Sequence, residues 1–268
     1  MNTVRSSDGT VIAFDRSGEG PSVIIVEGAF CDRSTSAPLA ALLAPHFTVF
    51  AYDRRGRGDS GNTPPYAVER EVEDLQAVIA AAGGSAFVYG MSSGAALALE
   101  TAARGPGITK LVLFEPPFDV DGGLPDMAEG FATRLNELIS AGRRGDAVEF
   151  FLTKAVGFPA EVVAQMRNAP MWPAMEHIAP TLAYDTALTA DNSLLTERAP
   201  AATVPTLVID GGESPTWARN AVRVVAETLP NGQRYTLQGQ THNVSPDALA
   251  PVLDEFFAAP ARQAADRR

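Results

Sequence analysis

The sequence predicts an α/β fold: a mostly parallel sheet of about eight strands, flanked by helices and interrupted by one helical insertion. Three observations carry that expectation. Short apolar runs alternate with helical patterns in both the first and the last part of the chain, as consecutive strand-helix-strand units require. Between about Asp119 and Ala199 the strand runs stop and amphipathic helical spacing takes over. Val88-Tyr89-Gly90-Met91-Ser92-Ser93-Gly94, read on through Ala95 to Leu99, is an apolar run, a Gly-x-Ser-x-Gly turn and a small-residue helix, with a serine at the apex.

In chain order, Val11-Ile12-Ala13-Phe14-Asp15 alternates after the Asp8-Gly9 turn, and Ser22 to Val26 follows the loop Ser17 to Pro21; these read as a first hairpin and then a fully buried strand. The buried strand ends in Glu27-Gly28-Ala29-Phe30, at the end of the sheet where open α/β folds place their ligands. A helix over Ala37 to Leu43 leads into a strand over Phe47 to Tyr52, which stops at Asp53-Arg54-Arg55-Gly56-Arg57-Gly58-Asp59-Ser60-Gly61. Three arginines suggest phosphate binding, but no helix with a Gly-Lys-Ser/Thr start follows, so this is expected to be a solvated structural loop. Glu71 to Ala82 has helical spacing and ends at Gly83-Gly84. The strand Ala86 to Tyr89, the serine turn and its helix come next, and then the strand Lys110 to Phe114, which delivers Glu115-Pro116-Pro117.

The sheet core is expected over 1–118 and 200–268, with the helical insertion over 119–199. Helical patterns there cover Met127 to Ser140, Ala147 to Val156, Glu161 to Arg167 and Met175 to Leu188. Most of the insertion's aromatic and methionine side chains should pack it internally. A few, Met171 and Trp172 among them, are expected to join Phe30 and Met91 in an apolar roof over a small-molecule substrate. The sheet resumes at Pro205 to Asp210, followed by a helix over Trp217 to Leu229 and a strand over Gln233 to Leu237. Gly239-Gln240-Thr241-His242-Asn243 stands directly after that strand; a helix over Pro246 to Phe257 closes the fold, and Pro260 to Arg268 reads as a frayed tail.

Bulk properties exclude several functions. The 268 residues are 46% hydrophobic, enough for a large core, and the formal charge of -11 with a pI near 4.7 argues against a nucleic-acid partner. A single cysteine, Cys31, leaves no internal disulfide, and with 3 His it offers no Cys/His zinc set, so no metal or cofactor is expected. The first residues lack a basic-then-apolar signal pattern, and no apolar run approaches the roughly 18 residues of a membrane span. The expectation is a soluble cytoplasmic protein, monomer or homodimer, with no membrane partner.

Taken in this order and at these distances, the motifs resemble the α/β-hydrolase family over nearly the whole chain. The matching features are Glu27-Gly28-Ala29, the Asp53-x-x-Gly56-x-Gly58-x-Ser60 loop, the Gly90-Met91-Ser92-Ser93-Gly94 elbow, the helical cap and His242 after the last strand. The resemblance implies Ser92 as nucleophile and His242 as its base. Residue chemistry agrees, since a serine hydroxyl needs a neighbouring base at neutral pH and imidazole suits that task. It further implies that the backbone N–H groups of Ser93 and Ala29 form the oxyanion hole.

Two positions depart from the family pattern. Glu27 stands where a histidine is usual; it is expected to point away from the hole and form hydrogen bonds, with a catalytic acid as the alternative. Gly211-Gly212-Glu213-Ser214 has Ser214 where the family's Gly-x-x-Asp carries the triad acid. Glu115 is the first candidate for that acid, as in some haloalkane dehalogenases of similar fold; Glu213 is the runner-up and Asp210 the third. The implied activity is cleavage of a carboxylic ester or lactone through an acyl-enzyme. Carbon–carbon bond hydrolysis, lyase or cofactor-free peroxidase chemistry, and a non-catalytic ligand-binding role are the alternatives. Ser92 in place of an Asp speaks against dehalogenase or epoxide hydrolase chemistry.

Overall fold

The structure is a computed structural model that describes residues 1–122, 130–189 and 192–260. Strands β1 (Asn2–Arg5), β2 (Val11–Ser17), β3 (Ser22–Val26), β4 (Thr48–Tyr52), β5 (Ala86–Met91), β6 (Ile108–Phe114), β7 (Thr206–Gly211) and β8 (Gly232–Leu237) form one sheet in the order β1-β2-β4-β3-β5-β6-β7-β8. The β1/β2 and β2/β4 pairs are antiparallel and every other pair is parallel. The strand β1 carries no sequence signal. Its side chains are largely exposed at the sheet edge, so only backbone pairing with β2, from Asn2↔Phe14 to Arg5↔Val11, makes it a strand.

The central strands are buried on both faces, which is why they read as continuous apolar runs. Side chains alternate between two cores. Ile24, Val26, Leu111 and Leu113 meet helices α2 (Val68–Ala81), α3 (Ser93–Arg104) and α9 (Thr216–Thr228) on one face. Val23, Ile25, Val112 and Phe114 meet α1 (Ala37–Leu43) and α10 (Pro246–Ala258) on the other. Between β6 and β7 lie α4 (Phe131–Ser140), α5 (Arg144–Phe151) with a π-helical turn over Leu152–Val156, α6 (Ala160–Met166), α7 (Trp172–Ile178) and α8 (Leu182–Ala187). They share their own apolar core, including Leu135, Val148, Trp172 and Leu182. Leu188, Leu194, Leu195 and Ala199, further along the insertion, pack instead into the α2/α3 face of the sheet.

Two expectations are corrected. The pattern over Met175 to Leu188 is two helices, because Pro180 has no N–H to donate and its ring clashes with the preceding turn. A 3₁₀ turn over Ala179–Thr181 separates α7 from α8. The expected helix start at Met127 lies outside the described residues, as does the tail beyond Pro260.

The second correction is larger: the arginine loop is buried, not solvated. Arg54, Arg55 and Arg57 are 2%, 0% and 1% exposed. Glu71 and Asp74, three apart on α2, present their carboxylates to the same side. Arg54 grips Glu71 through Nε (2.7 Å) and a terminal nitrogen (2.9 Å), and Arg55 grips Asp74 likewise at 2.7 Å twice. A loop dense in charge and turn residues reads as solvent-facing when its counter-charges lie on other elements. No helix among the described residues is long and apolar enough to cross a membrane.

Helix α3 lies so close to the sheet that a Cβ on Gly94 would run into the carbonyl oxygens of Val26 and Glu27. Those are backbone atoms and cannot move aside without parting helix from strand. Gly94→Ala is therefore expected to lower the unfolding free energy in urea by about 3 kcal/mol. Gly105→Ala is the control, because a Cβ there meets nothing within 4 Å and its φ of 170° is extended backbone; it should stay within about 0.5 kcal/mol of wild type.

Candidate active site

Ser92 follows the last residue of β5 and precedes the first of α3. Its φ of 54° and ψ of -124° lie in a region that costs a side-chain-bearing residue roughly 1–3 kcal/mol. Hydrogen bonds on both sides hold it there. Its N–H donates to Phe114 C=O at 2.9 Å, and its C=O accepts from Ala95 N–H at 2.9 Å. Gly28 lies against it, where a Cβ would come within 3.0 Å of Ser92 Cβ.

Glu115 follows β6 as Ser92 follows β5, and Met91 is in register with Phe114, so the two residues emerge side by side. Glu115 also has a positive φ, 44°, and is 1% exposed. Its Oε1 accepts from Gly211 N–H at 2.8 Å and its Oε2 lies 2.7 Å from His242 Nδ1. An ionised carboxylate only accepts, so against it Nδ1 is the donor, and a neutral imidazole then has its lone pair on Nε2. The His242 side chain is 46% exposed, in the loop after β8.

The other two candidate acids are placed elsewhere. Glu213 is exposed and its N–H donates to Gln240 C=O at 2.9 Å. The Asp210 carboxylate is held by Arg234 and Thr236, each at 2.8 Å. Ser214 is buried beside Gly211.

Two backbone donors flank Ser92. Ser93 opens α3, so its N–H is among the first-turn donors that have no acceptor within the helix. Arg57 donates to Gly28 C=O at 2.5 Å. Because the peptide is planar and trans, this turns the Ala29 N–H away from the guanidinium.

Hydrogen-bonded to Ser93 and to the Gly28 carbonyl is a buried charge cluster that sequence reasoning missed. Asp185 of α8 accepts from Arg54 at 2.8 Å, from Arg57 at 2.7 and 2.8 Å, and from the Ser93 hydroxyl at 2.7 Å. Burial works to raise its pKa, but Arg57, Arg54 and Ser93 outweigh burial and hold it below the usual carboxylate range. Glu71 completes the cluster and also accepts from the Tyr66 hydroxyl at 3.0 Å, while the Tyr66 ring stacks on Tyr184 at 3.8 Å. Nothing local marks Asp185, since its partners lie far away in sequence; only the arginine-rich loop hinted at a need for buried acids.

The apolar roof differs from expectation. Phe30, at φ 61°, packs edge-on against Phe151 with ring centroids 5.5 Å apart, and Met91 is half-buried. Trp172, however, is 3% exposed inside the insertion, with its indole N–H donated to Glu176 at 2.8 Å. Met171 is 57% exposed. Trp172 is spent on internal packing, because a large ring is the natural filler for a small helical core. A groove of about 700 Å³ lies at the opposite end of the strands from Ser92, lined by Phe47, Phe87, Lys110 and Phe257. Among the described residues no group of three or more His, Cys, Asp or Glu is arranged to hold a metal ion.

Glu27 points to Ser36, whose hydroxyl donates to Oε1 at 2.7 Å, while Oε2 is buried without a partner. Burial pushes this carboxyl's pKa up, against the opposing pull of Ser36, Gly28 and Arg57. Nearby Cys31 is pushed up to about 12 by burial and by the Glu27 charge, so it stays a thiol. The unfolded chain releases the Glu27 proton near the ordinary value of 4.5 while the folded protein still holds it, so this group's contribution to stability falls as pH rises from there to the raised folded value. Urea unfolding at pH 5 and pH 8 should show a smaller loss for Glu27→Gln than for wild type. Identical pH dependence would mean that Glu27 is ionised in the fold.

Residues 23–254 match the model of the alpha/beta hydrolase family. A crystal structure of an alpha/beta hydrolase from Sphaerobacter thermophilus superimposes with a TM-score of 0.88 and 57% identity, over 96% of this chain and 100% of that one. Pimeloyl-(acyl-carrier protein) methyl ester esterase of Xanthomonas campestris pv. campestris is 27% identical over 251 residues, 90% of this chain and 97% of the relative. A thermophilic esterase from Thermogutta terrifontis shares the fold at a TM-score of 0.73 and 21% identity, over 96% of this chain and 97% of that one. With a family match that runs from β3 through the insertion to the loop bearing His242 and into α10, the chain belongs to the alpha/beta hydrolase family.

Proposed function

We propose that the protein is a serine hydrolase that cleaves a carboxylic ester, open-chain or lactone, through an acyl-enzyme on Ser92. The observation that carries this reading is the 2.7 Å contact between His242 Nδ1 and the buried Glu115, which emerges from the strand next to the strained serine turn. His242 Nε2 takes the Ser92 hydroxyl proton as Oγ attacks the ester carbonyl. The N–H groups of Ala29 and Ser93 receive the negative oxygen of the tetrahedral intermediate, at a value of roughly 3–4 kcal/mol per donor. His242 then protonates the leaving alkoxide, and the cycle repeats with water to release the acid. Phe30 and Met91 supply apolar surface for the acyl or alcohol portion. Esterases among the similar proteins support the same substrate class.

A fluorophosphonate should label Ser92, and Ser92→Ala should abolish both labelling and hydrolysis of p-nitrophenyl acetate. Glu115→Gln leaves the imidazole without its charged partner and is expected to lower kcat about 10³- to 10⁴-fold with the fold intact. Near-wild-type turnover in that variant would show that another group orients His242.

A further inference from the structure

We infer that Asp185, carried by the insertion, is a positioning residue that assembles the oxyanion hole from above. The inference rests on the serine-hydrolase reading with Ala29 and Ser93 as donors. One carboxylate, 3% exposed, is tied to both of them. Asp185 Oδ1 accepts directly from the Ser93 hydroxyl at 2.7 Å, and Arg54 donates to the same hydroxyl at 3.1 Å. That fixes the residue whose N–H opens α3. On the other side of Ser92, Asp185 holds Arg57 through both carboxylate oxygens, and Arg57 in turn holds Gly28 C=O, the partner of the Ala29 N–H in one rigid peptide. Arg54 adds a third tie at 3.3 Å to Glu27 C=O, the preceding carbonyl of the same loop.

Charge makes the arrangement depend on the insertion. Arg54 and Arg57 are balanced by Glu71 from α2 and Asp185 from α8. Without Asp185, Arg57 is a buried cation that lacks a carboxylate partner yet remains beside a loop of backbone carbonyls, and it will draw that loop out of place. The seating of the insertion and the aim of the two N–H donors are therefore set by the same hydrogen bonds. A purely structural cluster would affect how much protein folds and not how well the folded protein turns over.

The test compares kcat, KM and inhibition by a phenylboronic acid, whose tetrahedral adduct on Ser92 places an oxygen in the hole, using p-nitrophenyl acetate as substrate. Asp185→Asn keeps shape and removes charge; it should lower kcat roughly 10- to 100-fold, leave KM within about threefold, and weaken the boronic acid by the same factor as kcat. Ser93→Ala keeps the backbone donor and the ion pairs. It should fold normally and show a smaller loss, about fivefold in both kcat and boronic acid affinity with KM unchanged, so it carries the test if Asp185→Asn does not fold. Wild-type kcat and boronic acid affinity in whichever of these variants fold would overturn the inference. Ser92→Ala run in parallel separates the two levels: if it remains active, the serine-hydrolase reading itself falls, whereas an inactive Ser92→Ala beside fully active Asp185 and Ser93 variants sinks only the role of Asp185.

Discussion

The hydrogen bond from Ser92 N–H to Phe114 C=O, 2.9 Å long, continues the ladder between β5 and β6 by one step, and the site is built from what happens just beyond it. Both chains turn at that point with positive φ, one at Ser92 and the next at Glu115. The β6/β7 ladder does the same one strand over, where Glu115 N–H donates to Ile209 C=O at 3.0 Å and Gly211 N–H reaches the Glu115 side chain. Parallel pairing with a common register thus brings a hydroxyl and a carboxylate to one edge with little freedom left in either. Strain at such positions persists only where the surroundings over-determine it, and here sheet hydrogen bonds and close helix packing do so.

Two buried carboxyls near that edge are driven in opposite directions by their neighbours. Asp185 receives hydrogen bonds from two guanidinium groups and a hydroxyl and stays charged. Glu27, a few residues from Arg57's carbonyl ligands, receives one hydroxyl on one oxygen and none on the other, and burial raises its pKa. The two cationic neighbours of Asp185, not depth alone, separate them. The upward push of burial on Glu27 lessens the objection that a carboxylate beside Gly28 and Ala29 would repel a developing oxyanion.

The central strands, their order of appearance and the loop ends that carry Ser92, Glu115 and His242 were legible because each is written in a short local pattern. Glu115 is legible as the polar residue that ends the run Leu111 to Phe114, and the resemblance to some dehalogenases of similar fold, with Ser214 where the Asp is usual, points to it. Edge strand β1 was not, since an exposed strand needs no apolar alternation, and the break at Pro180 was overlooked within an otherwise helical spacing. Arg54, Arg55 and Arg57 were misread as solvated because their burial depends on Glu71, Asp74 and Asp185, and the last of these arrives from the insertion. Pairings of this kind are decided by tertiary geometry. The arginine-rich loop announces a demand for counter-charge without saying which residue meets it.

Ser214, 6% exposed with its hydroxyl unpartnered, leaves the place beside Gly211 without charge. His242 has one proton on Nδ1 and can give it to one carboxylate only. With Glu115 in that place, an Asp at 214 would add a second buried negative charge next to Gly211, whose N–H is already committed to Glu115. Both carboxylates would then be desolvated at the same strand ends with a single imidazole proton between them.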